Sequence, residues 1–250
     1  MQKENFLLGK IQNAIKESVL EKKIGVAFSG GVDSTLVSKI CNDLGYDITL
    51  LTIGFPESHD ISFAKEVNGI LNFPHKIFEI DKDSFNQIAL KINQHINTDN
   101  LSWNENCIAF YYVAKLAHDL GIKTVVTANG IDELFCGYNA YREAIEKGEN
   151  EVLNLMNSKL KNEKKMMQTV NKVTSEFDVQ IIQPLLSENF IDYAKSISVS
   201  EKITGKDDLM RKHIIRKLAS EIGVPEISTN KRKKALQYGS LIHKTLLKSR

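Results

Sequence analysis

Cysteine is scarce and scattered in this sequence. Cys41, Cys107 and Cys136 form neither an even set nor a Cys-x-x-Cys pair, so no extracellular disulfide framework and no thiolate metal site is indicated. No apolar run approaches the roughly 18 residues needed to span a bilayer. Met1-Gln2-Lys3-Glu4-Asn5 lacks the apolar region of a signal peptide, and a cytoplasmic protein with no membrane partner is expected. A dominant charge is also missing: Lys+Arg 33 against Asp+Glu 31 leaves +2, too balanced for a nucleic-acid coat. A Walker loop is excluded, because no Gly-Lys-Ser/Thr follows four residues after a glycine.

What is present begins with size. The 250 residues, 42% hydrophobic, can bury a substantial core as one large domain or a domain with an appendage. Within them, Gly25-Val26-Ala27-Phe28-Ser29-Gly30-Gly31-Val32-Asp33-Ser34-Thr35 reads as a strand running through a glycine turn into a helix. Adjacent glycines let backbone amides turn inward, and the helix start adds unpaired N–H groups and a positive dipole end, which together hold phosphate. Ser29, Ser34 and Thr35 add hydroxyls. Asp33 has the wrong charge to touch phosphate without an intervening cation, which suggests magnesium. The alternative is a Gly-Gly turn with Asp or Ser capping the helix and nothing bound.

The rest of the chain alternates strands and helices. Helical spacing covers residues 5 to 20, Thr35 to Leu44, Ile61 to Leu71, Phe85 to Ile96 and Ile108 to Leu120; strands are expected at Ile24 to Phe28, Ile48 to Ile53, Lys76 to Ile80 and Lys123 to Thr127. Such alternation predicts an α/β fold with a doubly wound parallel sheet, whose ligands sit beyond the carboxyl ends of the strands. Asn97 to Asn106, with the lone Trp103, reads as a polar surface loop. Tyr141 to Phe177 reads as a helical flank with Lys161 to Lys165 as a solvated run, and further helices are expected over Phe190 to Ser196 and Leu209 to Ile222. The division expected is an N-terminal helix (1–23), a core (24–140) and a helical C-terminal section (141–250) that completes the site. Basic charge gathers late, at Lys231-Arg232-Lys233-Lys234 and at Lys244, Lys248 and Arg250.

A second informative stretch is Ala128-Asn129-Gly130-Ile131-Asp132-Glu133-Leu134-Phe135-Cys136-Gly137-Tyr138, another strand, small-residue turn and acidic helix start. Two carboxylates there can be simple dipole partners. If its strand lies beside the first, Asp132 can instead share a cation with Asp33, the way Mg²⁺ is fixed against a leaving pyrophosphate.

Ser29-Gly30-Gly31-Val32-Asp33-Ser34 resembles the pyrophosphate (PP) loop of the N-type ATP pyrophosphatases. Together with Ile53-Gly54-Phe55-Pro56-Glu57-Ser58-His59-Asp60, Gly130 to Tyr138, Gln183-Pro184-Leu185-Leu186, Lys212-His213-Ile214-Ile215-Arg216-Lys217 and Lys231 to Ser240, it is similar in collinear order to the synthetase domain of asparagine synthetases, over roughly residues 24 to 240. The resemblance implies an adenine nucleotide α-hydrolase-like fold and an ATP-dependent amide ligase: ATP and Mg²⁺ adenylate a carboxylate, pyrophosphate leaves, and ammonia or an amine displaces AMP. It further implies that Ser29, Gly30, Gly31, Ser34 and Thr35 hold pyrophosphate, with Gly130 in the second loop. Asp33 and Asp132 would bind magnesium, and Phe28, Ile53, Thr127 and Ala128 would line the adenosine site. Lys234 would be the catalytic cation, Arg232 would face phosphate, and Lys231 and Lys233 would be solvent charges. No glutaminase domain with its N-terminal cysteine is visible, so free ammonia, another amine or a separate glutaminase subunit is implied as the nitrogen source. A homodimer is compatible with the sequence.

Two positions depart from the family pattern. The usual Gly-Glu-Gly is Ala128-Asn129-Gly130, and Ser187 stands for the acid after Gln183-Pro184-Leu185-Leu186. Both bear on aspartate as the acceptor rather than on adenylation, since Asn129 can orient but cannot remove a proton. Two other readings stay open: a tRNA-modifying adenylase of the thiolation type, for which the basic C-terminus and Cys136 would matter, and a nucleotide-binding subunit without turnover.

Overall fold

The computed structural model describes residues 2–232 and 236–248. Helix α1 (Gln2–Ser18) leads to β1 (Lys23–Ala27), α2 (Val32–Asp43), β2 (Asp47–Gly54), α3 (His59–Leu71), β3 (His75–Glu79), α4 (Lys82–Ile96), α5 (Leu101–Asp119) and β4 (Thr124–Val126). There follow α6 (Ile131–Leu134), α7 (Ala140–Glu146), α8 (Glu149–Thr174), β5 (Gln180–Ile182), α9 (Glu188–Ser196), α10 (His213–Glu221), α11 (Glu226–Thr229), α12 (Leu236–Gly239) and α13 (Ile242–Lys248).

The five strands form one parallel sheet in the order β3-β2-β1-β4-β5. Ile24 and Val26 of β1 and Leu50 and Leu51 of β2 are all buried, as expected of strands covered on both faces. Leu50 and Val126 point into one core, with α1, α2, α3, α9 and α10. Their neighbours Leu51 and Val125 point into the other, with α4, α5, α8 and α13. The doubly wound arrangement is therefore as the alternation predicts. The winding reverses between β1 and β4, which pair directly through Gly25↔Val125 and Val26↔Val126, so a crevice opens beyond their carboxyl ends.

Two local expectations change, and one strand was not expected. Trp103 is not in a loop: Asn100 caps α5 by accepting from the Trp103 amide at 3.3 Å, and the indole donates to Asn162 Oδ1 of α8 at 3.1 Å. The helix expected from Leu209 starts only at His213, because Arg211 and Lys212 are left-handed, with φ of 50° and 55°. Strand β5, three residues long, carries too few residues for a period-2 pattern to announce it.

Candidate active site

The loop between β1 and α2 is closed by its own hydroxyls. Ser34 Oγ and Thr35 Oγ1 donate to the Gly31 carbonyl at 3.1 and 2.9 Å, and the Ser29 amide donates to Ser34 Oγ at 3.3 Å. Gly30 takes φ +75°, and a Cβ there would lie 3.1 Å from Phe63, so side chain and conformation both favour glycine. The loop borders a cavity of about 290 Å³ at the switch point. Of the residues expected to hold nucleotide or metal, Phe28, Ser29, Gly31, Asp33, Ser34, Ile53, Thr127, Ala128 and Asp132 line it, as does Arg232. Gly30, Thr35 and Gly130 lie behind the lining: the Gly30 carbonyl accepts Ser228 Oγ at 2.7 Å, Thr35 is fully buried, and Gly130 packs against the Leu185 carbonyl. Lys234 lies outside the described residues, as does Lys233. Lys231 is exposed, as expected, at the edge of the cavity, with its ammonium 4.3 Å from the Phe63 ring centre, within cation–π range.

At the centre of the crevice the two aspartates converge on one nitrogen. Lys212 Nζ donates to Asp33 Oδ2 at 2.6 Å and to Asp132 Oδ1 at 3.0 Å. The lysine side chain is 2% exposed. Burial works to lower its pKa, but the charges of Asp132 and Asp33 outweigh burial and the net shift is upward, so the ammonium is held charged. Its aim depends on the left-handed turn at Arg211 and Lys212, a conformation costing L-residues of this kind on the order of 1 kcal/mol or more each. Neighbours pin that turn: Asp208 Oδ1 accepts from the Arg211 amide at 2.8 Å, Arg216 Nε donates to the Arg211 carbonyl at 2.9 Å, and Arg211 Nη2 donates to the Gly137 carbonyl at 3.1 Å. Gly137 also has to be glycine, since a Cβ there would lie 1.8 Å from Asp132 Oδ1.

The second loop continues this polar wall. Glu133 Oε2 accepts from the Gly130 amide at 3.0 Å, and the Tyr138 hydroxyl donates to Glu133 Oε1. Burial first, then the charges of Glu133, Asp132 and Glu163, push the Tyr138 phenol far up, so it stays protonated and acts as a donor. Asn129 Nδ2 donates to Glu163 Oε1 at 2.6 Å. Glu163 belongs to the run expected to be solvated, yet it is 5% exposed. Its position explains this: Met156, Leu160, Glu163, Met167 and Val170 recur at four- and three-residue steps, so Glu163 sits within the buried stripe of α8. A charge at a stripe position was the available signal. Lys159, on the same helix, lines the cavity with its ammonium 5.0 Å from the Tyr138 ring centre.

Two features of the sequence do not come to the cavity. Ser187 borders a separate cleft beside β5, where its hydroxyl oxygen is buried without a hydrogen-bond partner among the described residues. Cys136 is fully buried and desolvation pushes its thiol up to about 12, so it offers no thiolate near neutral pH. Among the described residues no group of three or more His, Cys, Asp or Glu side chains is placed to hold a metal. Asp33 and Asp132 are nonetheless a hard-oxygen pair that already accommodates one cation, which suits magnesium shared with phosphate oxygens. No helix among the described residues is long and apolar enough to cross a membrane.

A Methanocaldococcus jannaschii relative assigned to the glutamine-hydrolyzing asparagine synthetases is 27% identical over 92% of this chain and 49% of its own length. A glutamine-hydrolyzing asparagine synthetase of Asparagus officinalis is 28% identical over 81% of this chain and 36% of its own. The chain thus spans about half, or less, of the length of these curated relatives. An NMN synthetase from Francisella tularensis superposes with a TM-score of 0.49 and 14% identity, over 95% of this chain and 76% of that one. The asparagine synthase family model matches residues 8–178, taking in the β1–α2 loop, the Asp33–Asp132 pair and Glu163, and the chain belongs to that family.

Proposed function

We propose that this chain is an ATP-dependent ligase that adenylates a carboxylate, releases pyrophosphate, and passes the acyl group to ammonia or an amine. The observation that carries the reading is the meeting of Asp33 and Asp132 on one cation directly beside the Ser29-Gly31-Ser34 loop, between the carboxyl ends of β1 and β4. Family membership supports it. So does the chemistry of each wall: hydroxyls and loop amides for the β- and γ-phosphates, Phe28, Ile53, Thr127 and Ala128 for the nucleoside, and Arg232 at the rim for charge developing on the α-phosphate. Lys234 is assigned to the same task on resemblance alone. Magnesium bound by Asp33 and Asp132 would neutralise the leaving pyrophosphate. Lys212 holds the two carboxylates in place in its absence. Nitrogen would come from free ammonia, an amine, or a separate glutaminase subunit.

The test is product analysis. With ATP, MgCl₂, pooled amino acids and ammonium chloride, the chain should form AMP and pyrophosphate in equal amounts, dependent on a carboxylate. ADP as the product would sink the reading, and stimulation only by tRNA would transfer it to base modification.

A further inference from the structure

The loop between β1 and α2 is held from behind by a residue of the C-terminal section. Ser228, in the short helix α11, is fully buried, and its hydroxyl donates to the Gly30 carbonyl at 2.7 Å across 198 residues of sequence. A helical serine or threonine ordinarily bonds a carbonyl of its own preceding turn, as Thr229 does with Glu226 at 3.2 Å. Ser228 instead gives its one proton to the turn at the phosphate end of the cavity.

The direction of that bond fixes a donor on the other side. In a trans peptide the C=O and the N–H of the following residue point in opposite directions. The Gly30–Gly31 peptide is trans and its carbonyl is drawn toward α11, so the Gly31 amide faces the cavity that Gly31 lines. There it reaches Ser29 Oγ at 3.4 Å, long for a hydrogen bond, and stands ready for a stronger acceptor. Glycine on both sides leaves this peptide little steric resistance to a half-turn, which would aim the carbonyl oxygen at a bound anion instead. Phe63 backs the same turn: its ring lies 3.1 Å from where a Gly30 Cβ would be, and it carries the Lys231 ammonium on its face.

Resting on the ligase reading above, we infer that Ser228 is a positioning residue for the pyrophosphate end of the substrate: by holding the Gly30 carbonyl away from the cavity, it keeps the Gly31 amide aimed at the departing pyrophosphate. Ser228 touches no reacting atom and acts through one peptide plane. The segment that brings Arg232 to the rim of the cavity thereby also sets the loop opposite it.

Ser228→Ala removes the proton and little volume. Calorimetric titration with inorganic pyrophosphate in MgCl₂ should show binding about tenfold weaker than wild type, the worth of a hydrogen bond to a charged group. Adenosine should keep its affinity within about twofold. Thr229→Val removes the neighbouring hydroxyl of the same helix and controls for loosening of α11; both ligands should bind it within about twofold of wild type. In ¹H–¹⁵N spectra of the wild-type protein, the Gly31 amide proton should move downfield as pyrophosphate binds, a measurement that needs no variant, and Ser228→Ala should lose that movement. Unchanged pyrophosphate affinity in Ser228→Ala, equal weakening of both ligands, the same loss in Thr229→Val, or a wild-type Gly31 resonance that ignores bound pyrophosphate overturns the assignment. A wild-type chain that binds no pyrophosphate would instead overturn the ligase reading beneath it.

Discussion

Replacing Lys212 by methionine tests the centre of the site. The lysine is 2% exposed, and its nitrogen lies 2.6 and 3.0 Å from two carboxylates that are themselves only 20% and 18% exposed. Methionine keeps most of the volume but leaves two like charges facing each other. Two unit charges about 4 Å apart interact by about 4 kcal/mol at an effective dielectric of 20, and breaking a buried ion pair from one side typically costs about 3–5 kcal/mol. We expect Lys212→Met to lose about 3–5 kcal/mol in urea unfolding at low ionic strength with EDTA. Added MgCl₂ should return about 2.7 kcal/mol at a concentration 100 times its dissociation constant, since a divalent cation can now enter between the aspartates. The wild-type protein, with an ammonium already there, should gain little from MgCl₂ without nucleotide. Adding Asp132→Asn to the variant should recover much of the loss without metal. A Lys212→Met protein within about 1 kcal/mol of wild type in EDTA, or one that neither MgCl₂ nor Asp132→Asn repairs, would refute the reasoning.

Gly137→Ala places a methyl where Asp132 Oδ1 now lies, 1.8 Å away, so the variant should fold but form pyrophosphate on the order of 10²-fold more slowly, with a weakened magnesium dependence; unchanged kinetics would contradict the role given to Asp132. His75, whose Nε2 lies 2.8 Å from Thr52 Oγ1, is held down to about 4 by burial and then by the charge of Lys65. The unfolded chain therefore takes up this proton first. Stability from this group is complete above pH about 6.5 and declines as pH falls through about 4, by up to about 3 kcal/mol, and His75→Gln should flatten that part of the acid-unfolding curve.

Sequence reading located the sheet, the switch-point loops and the Asp33–Asp132 pairing, because each rests on short-range signals: apolar runs, glycine turns and acidic helix starts. It missed what depends on distant segments meeting. Lys212 sits in a motif that gave no hint of its direction, since two consecutive left-handed residues that are not glycine leave no compositional trace. Glu163 was hidden in a lysine-rich stretch where charge counts outweighed periodicity. Lys231 of the basic run is exposed, as expected, while its ammonium also lies over the Phe63 ring, a contact with no sign in the sequence. Ser187, singled out as a departure at the acceptor, borders another cleft.

The ion triplet at the crevice has a consequence for biosynthesis. Lys212 follows Asp33 by 179 residues and Asp132 by 80. At a translation rate of roughly 5–20 residues per second, Asp33 waits on the order of 10–35 seconds after its own synthesis before its counter-charge exists. During that interval β1, β2 and β4 can already pair around a crevice whose acids remain open to water and to cellular magnesium. The nascent chain thus passes through a stage in which the two aspartates lack their lysine, and the ribosome sets how long that stage lasts.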